Sequence, residues 1–235
     1  MQASKNKIII LSYFRNKITV MKPPFLLMLL FFNLQLQAQN NTHATLNVSP
    51  LSAYSEQWNR PEYIRCNTAA NVVYMSVGER NVIYVLNLVR ANPRLFASTV
   101  LKHYPERTGQ DHLADDKVYF QSLLKELQTM KPLEILLPDK DCYTSALCHA
   151  TQAGMTGYVG HERKKNECRK KMYYNGECCD YGNSDPLEIV LSLLIDEGIP
   201  SLGHRSICLG QYSKLGVSLQ PHKTYTYNTV MDFHF

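Results

Sequence analysis

The last twenty residues before the C-terminal dipeptide constrain the fold more than any other stretch. In KLGVSLQ (214–220) and TYTYNTVMDF (224–233) the side chains alternate in character from one residue to the next. That is the period at which a β-strand sends neighbours to opposite faces. Pro221-His222-Lys223 between them reads as a turn, so the chain is expected to close on an antiparallel hairpin.

Everything regular upstream of the hairpin has helical spacing. Val82, Leu86 and Val89 share one face of a first helix beginning near Val77, with Ile83 beside them. Asn92 followed by Pro93 predicts a capped start to a second, short helix through Phe96 and Val100. Phe120, Leu123, Leu124 and Leu127 mark a third. Asp139 is placed to cap a fourth, running to about Gly154, in which Cys142, Ala146, His149 and Ala153 fall on one buried face. Asp185 with Pro186 and Glu188 predicts the capped start of a fifth, apolar from Ile189 to Ile195 and ended by Gly198. Residues 156–175, with HERKK and CRKK, read as an exposed polar loop. Helices early and strands late indicate an α+β fold rather than a doubly wound parallel one.

Charge and cysteine content bear on where such a chain works. Residues 1–38 read as a leader. Lys22, the apolar run Phe25 to Phe32 and Leu36-Gln37-Ala38 form a secretory signal, with Met21 as the expected true start. The run is far short of the ~20 residues that span a bilayer, so no stable membrane insertion is expected. The leader carries five bases and no acids. Removing it from a chain of 25 Lys and Arg against 20 Asp and Glu leaves a balanced mature protein. A neutral chain gives no electrostatic reason to expect nucleic acid as a partner. The expected location is secreted or periplasmic. Residues 39–76, rich in Asn, Ser and Thr, read as a loosely ordered extension that packs on the domain through Trp58 and Tyr63, with sequons at Asn40 and Asn47.

Seven cysteines in a secreted chain point to disulfides with at least one thiol left over. Cys178 and Cys179, if extended, face opposite ways and are poor partners for each other. A bridge from one or both to Cys208, Cys168, Cys142 or Cys148 is the expected role. A zinc site on Cys168, Cys178 and Cys179 has no common ligand spacing.

Four polar positions beside element ends stand out as chemistry: His161, Glu177, the pair Asp196/Glu197, and His204. Two imidazoles with two carboxylates suit zinc or another divalent cation, with each carboxylate a ligand or a brace for a histidine. His149, on an apolar helix face, is expected to be a neutral, hydrogen-bonded core histidine outside this group.

The order of these pieces resembles the CAP superfamily, the cysteine-rich secretory, venom-antigen and pathogenesis-related proteins with their SCP domain, in its bacterial form. The carriers of the resemblance are ERNVIYVLNLVRANP (79–93), SALCHATQAGM, GYVGHERKK, Gly176-Glu177, SLGHRSICLGQYSKLGVSL and TVMDF, which together cover residues 77–235. Cys178 stands where that family usually has Asn, and the fifth helix lacks a Trp. The resemblance implies a three-layer α-β-α sandwich with a central antiparallel sheet, and a cleft tetrad of His161, Glu177, Glu197 and His204, with Asp196 an equally near alternative to Glu197. His161 and His204 would be the metal ligands. The expected function is non-catalytic binding of a divalent cation or small ligand. The alternatives are a metal-dependent hydrolase with Glu177 as general base, and an extracellular lipid-binding or protein-interaction module.

Overall fold

The computed structural model describes residues 48–108 and 117–235; the expected leader, both sequons and the start of the extension lie outside the described residues. The described residues form one compact unit. Among the described residues, no helix is long and apolar enough to cross a membrane.

Helices α1 (Pro61–Ile64), α2 (Val77–Ala91), α3 (Pro93–Thr99), α4 (Tyr104–Thr108) and α5 (Lys117–Thr129) precede the first strand, β1 (Leu137–Pro138). Then come α6 (Lys140–Thr156), α7 (Asn166–Lys170), β2 (Gly176–Tyr181), α8 (Pro186–Ile195), α9 (Gly203–Cys208), β3 (Lys214–His222) and β4 (Thr226–His234). The strands form one sheet in the order β1-β3-β4-β2. This is an α+β fold. The sheet is mixed, not purely antiparallel: β2-β4 and β4-β3 are antiparallel, and the two-residue β1 runs parallel to β3.

The helix starts follow their capping residues. Asn92 accepts from Leu95 N, Asp139 from Asp141 N and Cys142 N, and Asp185 from Leu187 N and Glu188 N. Each replaces a hydrogen bond that the first turn of a helix cannot make internally. Ser76 and Glu79 form a reciprocal capping box at the start of α2. The second carboxylate oxygen of Glu79 accepts from Leu219 N at 2.9 Å, tying that helix to β3.

Two ends differ from the sequence expectation. Helix α8 stops at Ile195 rather than Gly198, with Asp196 in the left-handed conformation at φ 57°. Aspartate tolerates that region because its short side chain bonds locally, and here it accepts from His204 N. The hairpin turn lies at Lys223–Tyr225, after Pro221 and His222 have paired as strand. Buried His222 explains the shift: its Nδ1 accepts from Thr224 N and Tyr225 N, which satisfies the turn's donors.

Residues 48–76, expected to be loosely ordered, are built into the main core. Leu51, Trp58, Tyr63, Cys66, Ala69 and Met75 are all buried there. Trp58 donates from Nε1 to Thr99 Oγ1, and Asn87 of α2 donates to Cys66 O and Leu136 O. That core lies on the sheet face bearing Leu215, Val217, Met231, Phe233 and Cys178, under α2 and α8. A smaller cluster, Ala146, Ala150, Cys179 and Val230, joins α6 to the opposite face.

Helix α6 approaches the sheet closely because glycine stands at both contact points. A Cβ on Gly216 of β3 would collide with the backbone of Cys142 and Tyr143, and one on Gly154 of α6 with the carbonyl of Pro221. Both neighbours are backbone and cannot swing aside. Gly216→Ala is therefore expected to cost about 3 kcal/mol, as overpacking does. Gly198→Ala, with φ 75° but no atom within 4 Å, should cost about 1 kcal/mol from backbone strain alone. Urea denaturation of the two variants checks the ranking.

Candidate functional site

Strand β2 is the edge of the sheet, and the candidate residues gather along it. In the antiparallel register Glu177 lies opposite Asp232, Cys179 opposite Val230, and Cys178 opposite Met231. Glu177, Cys179 and Asp232 therefore share the face covered by α6, whereas Cys178 turns into the main core. His161 reaches this edge from the loop after α6. His204 reaches it from α9, which packs on β2. The two rings lie 6.0 Å apart between centroids.

Each imidazole rests on a buried carboxylate. His161 Nδ1 is 2.8 Å from Glu177 Oε1, and His204 Nδ1 is 2.8 Å from Asp196 Oδ1. With Nδ1 so engaged, Nε2 of each ring points away from its carboxylate. Asp196, not Glu197, is thus the partner of His204. Glu197 is exposed and lines the same cavity. That cavity has a volume of about 370 Å³ and also touches Tyr104, Cys179, Asp180, Glu188 and His204.

Helix α9 is held in place by two buried guanidinium groups. Arg205 donates to Leu194 O, Ile195 O and Tyr119 O, which satisfies carbonyls at the open end of α8. Arg90 donates to Cys208 O, Gly210 O and Tyr212 O just beyond α9. His204 therefore stands on a rigid support.

The other wall depends on Arg163, which the sequence placed in a solvated basic loop. It is buried, ion-paired to Glu177, and 3.3 Å from Asp232 Oδ2. Two carboxylates facing each other across strands repel, and the guanidinium between them makes their burial tolerable. Burial alone would raise the Glu177 pKa, but hydrogen bonds from His161 and Arg163 and the charge of Arg163 hold it at about 2. Burial and then the neighbouring Glu177 charge push Asp232 well above its usual range, against the pull of Arg163.

His149 is the neutral, hydrogen-bonded core histidine that its helix face implied, and it also lies beside this group. It is buried, and its Nε2 donates to Gly160 O at 2.8 Å. Burial, then the Arg163 charge, lowers its pKa and keeps the ring neutral. Donor atoms of His149, Glu177 and Cys179 all lie within 4.8 Å of one another, close enough to hold a metal ion.

The expected bridges from Cys178 or Cys179 are not formed. Cys148 pairs with Cys168, which fastens α6 to α7, and Cys178 and Cys179 are free thiols. Cys178 Sγ comes within 3.9 Å of Cys208 Sγ without bonding to it. The alternation along β2 explains the case of Cys179, which points away from Cys208 and toward His161, whose Nδ1 is 3.7 Å from its sulfur.

No family model, curated protein or solved structure matches this chain.

Asp232 and Arg163 were the residues that sequence reasoning missed. Asp232 left a signal, since an acid inside the run Val230-Met231-Asp232-Phe233 must be buried with a partner. Arg163 left none, because HERKK has the composition of a solvated loop.

Removing Arg163 leaves two carboxyl groups buried without a cation. Arg163→Met is expected to cost about 3–5 kcal/mol, with part recovered by adding Glu177→Gln. The Glu177 pKa also sets a pH window. Because the folded value of about 2 lies below the ordinary 4.5, this group's stabilisation is complete above about pH 4.5 and lost as the pH falls toward 2. Glu177→Gln should flatten that part of the acid-denaturation curve. Separately, Cys148→Ser/Cys168→Ser opens a ring of sequence separation 20 and is expected to cost about 3 kcal/mol. Chemical denaturation of each variant measures these effects.

Proposed function

We propose that the cleft at the edge of β2 binds a divalent cation, with zinc the best-suited ion, through Nε2 of His161 and Nε2 of His204. One observation carries this reading: each ring is held through Nδ1 by a buried carboxylate at 2.8 Å, and the two rings stand 6.0 Å apart. A carboxylate on one nitrogen fixes the tautomer and directs the lone pair of the other, as in carboxylate–histidine–zinc arrangements. Glu177 and Asp196 act as these braces. Glu197 supplies negative charge at the cavity rim.

The same geometry supports a CAP-type protein of the three-layer α-β-α kind, with α6 on one face of the sheet and α2 and α8 on the other. The secretory leader read in residues 1–38 and the Cys148–Cys168 bridge favour an extracellular or periplasmic setting. On this reading the partners are a small ligand or another extracellular protein. Binding without turnover fits better than hydrolysis. A general base works best with a pKa near the working pH, and Glu177, at about 2 and engaged by Arg163 and His161, is a weak one.

Calorimetric titration of the chelator-treated protein with zinc tests the proposal. The wild-type chain should bind with heat release that His161→Ala/His204→Ala abolishes; unchanged binding by the double variant would refute it.

A further inference from the structure

Behind the cleft, on the α6 face of β2, lies a set of donors of which the two-histidine cation site uses Glu177 alone, and that only as the brace of His161. Cys179 is a free thiol, 6% exposed, and His149 is 2% exposed. Glu177 completes the group, with all three donor atoms within 4.8 Å of one another. In a tetrahedral zinc site with bonds of ~2.0–2.3 Å the donors stand roughly 3.3–3.8 Å apart, so a contraction of about an ångström would bring these three onto one ion.

We propose that His149, Glu177 and Cys179 form a second, buried metal site selective for thiophilic divalent cations of the zinc class. Three features support it. His149 Nε2 donates to Gly160 O, so the neutral ring carries its lone pair on Nδ1, and the backbone carbonyl fixes its orientation as an outer partner does in known sites. Arg163 has a second carboxylate, Asp232 at 3.3 Å, to hold when Glu177 turns an oxygen to the ion. Cys179, alone of the three, also lines the 370 Å³ cavity, which gives its sulfur a path to solvent for ion entry. The sulfur sets the selectivity, because thiolate favours zinc, cadmium and cobalt over magnesium and calcium.

The binding step balances simply. The Cys179 S–H bond breaks, the sulfur forms a bond to the incoming M²⁺, and the proton leaves to solvent, one per ion bound. No oxidant or reductant is involved. The site requires neither His204 nor Asp196 and shares with the cleft site only Glu177, which braces His161 there, so loss of the sulfur ligand separates the two.

Cobalt(II) added to the chelator-treated full chain is the probe, read by absorption and by proton release into weak buffer. The expected result is a sulfur-to-cobalt charge-transfer band with one proton released. Cys179→Ser should lose the band and weaken cobalt binding at least about 10-fold, whereas His161→Ala/His204→Ala should keep it. Magnesium should produce no proton release. Cobalt bound by the wild-type chain without a sulfur band overturns the buried site and leaves the cleft reading intact. Persistence of the band in Cys179→Ser overturns it as well, and no cobalt binding at all overturns both. The wild-type spectrum decides by itself should Cys179→Ser fail to fold.

Discussion

The arrangement of the β2 edge depends on one guanidinium between two carboxylates. Glu177 and Asp232 are forced together by the antiparallel register of β2 and β4, in a place where water cannot screen them. Burial beside Glu177 already pushes Asp232 toward its protonated form, and Arg163 is what lets Glu177 stay ionised there. With it, Glu177 is fixed as an anion and can hold His161 by Nδ1. The position of an exposed imidazole is thus set by a charge network lying wholly beneath it. Arg163 is held in that position by its own loop, donating to His161 O at 3.0 Å and accepting from Arg169 Nε at 2.8 Å.

Fold class was legible because it rests on periodicity and on caps. The alternation in 214–220 and 224–233, and the cap residues Asn92, Asp139 and Asp185, each act over a few residues, and their consequences are local. What escaped was non-local. The strand character of Gly176–Tyr181 is hidden because all its positions but the last are buried, so no polar face marks it. Residues 48–76 look like a linker by composition, yet Trp58 and Leu51 are wholly buried, and Asn87 binds the segment's backbone. A few well-placed apolar side chains outweighed many polar ones.

The candidate site shows the same division. His161, Glu177 and His204 could be picked out by residue type and by their place at element ends. Choosing Asp196 over Glu197 required knowing that α8 ends at Ile195, before the glycine at 198. With Asp196 in the left-handed region, its carboxylate turns back toward the start of α9, where it meets both the backbone and the ring of His204. The cysteines could not be paired from spacing, because the decisive fact is which face of β2 each occupies. Adjacent residues in a strand belong to different halves of the molecule, and Cys178 and Cys179 divide accordingly between the main core and the site.

The single disulfide among the described residues has a consequence for how the two walls of the cleft are kept. The ring closed by Cys148 and Cys168 encloses His149, His161 and Arg163, so the freedom of that wall is spent when the chain folds and little remains to lose when something binds. The opposite wall, with His204, has no such covalent ring among the described residues and is secured by Arg90, Arg205, Asp196 and the packing of α9 on β2. A reducing medium would therefore slacken the histidine at Glu177, whereas the wall that carries His204 holds Cys178 and Cys208 already as free thiols and has no bridge to lose.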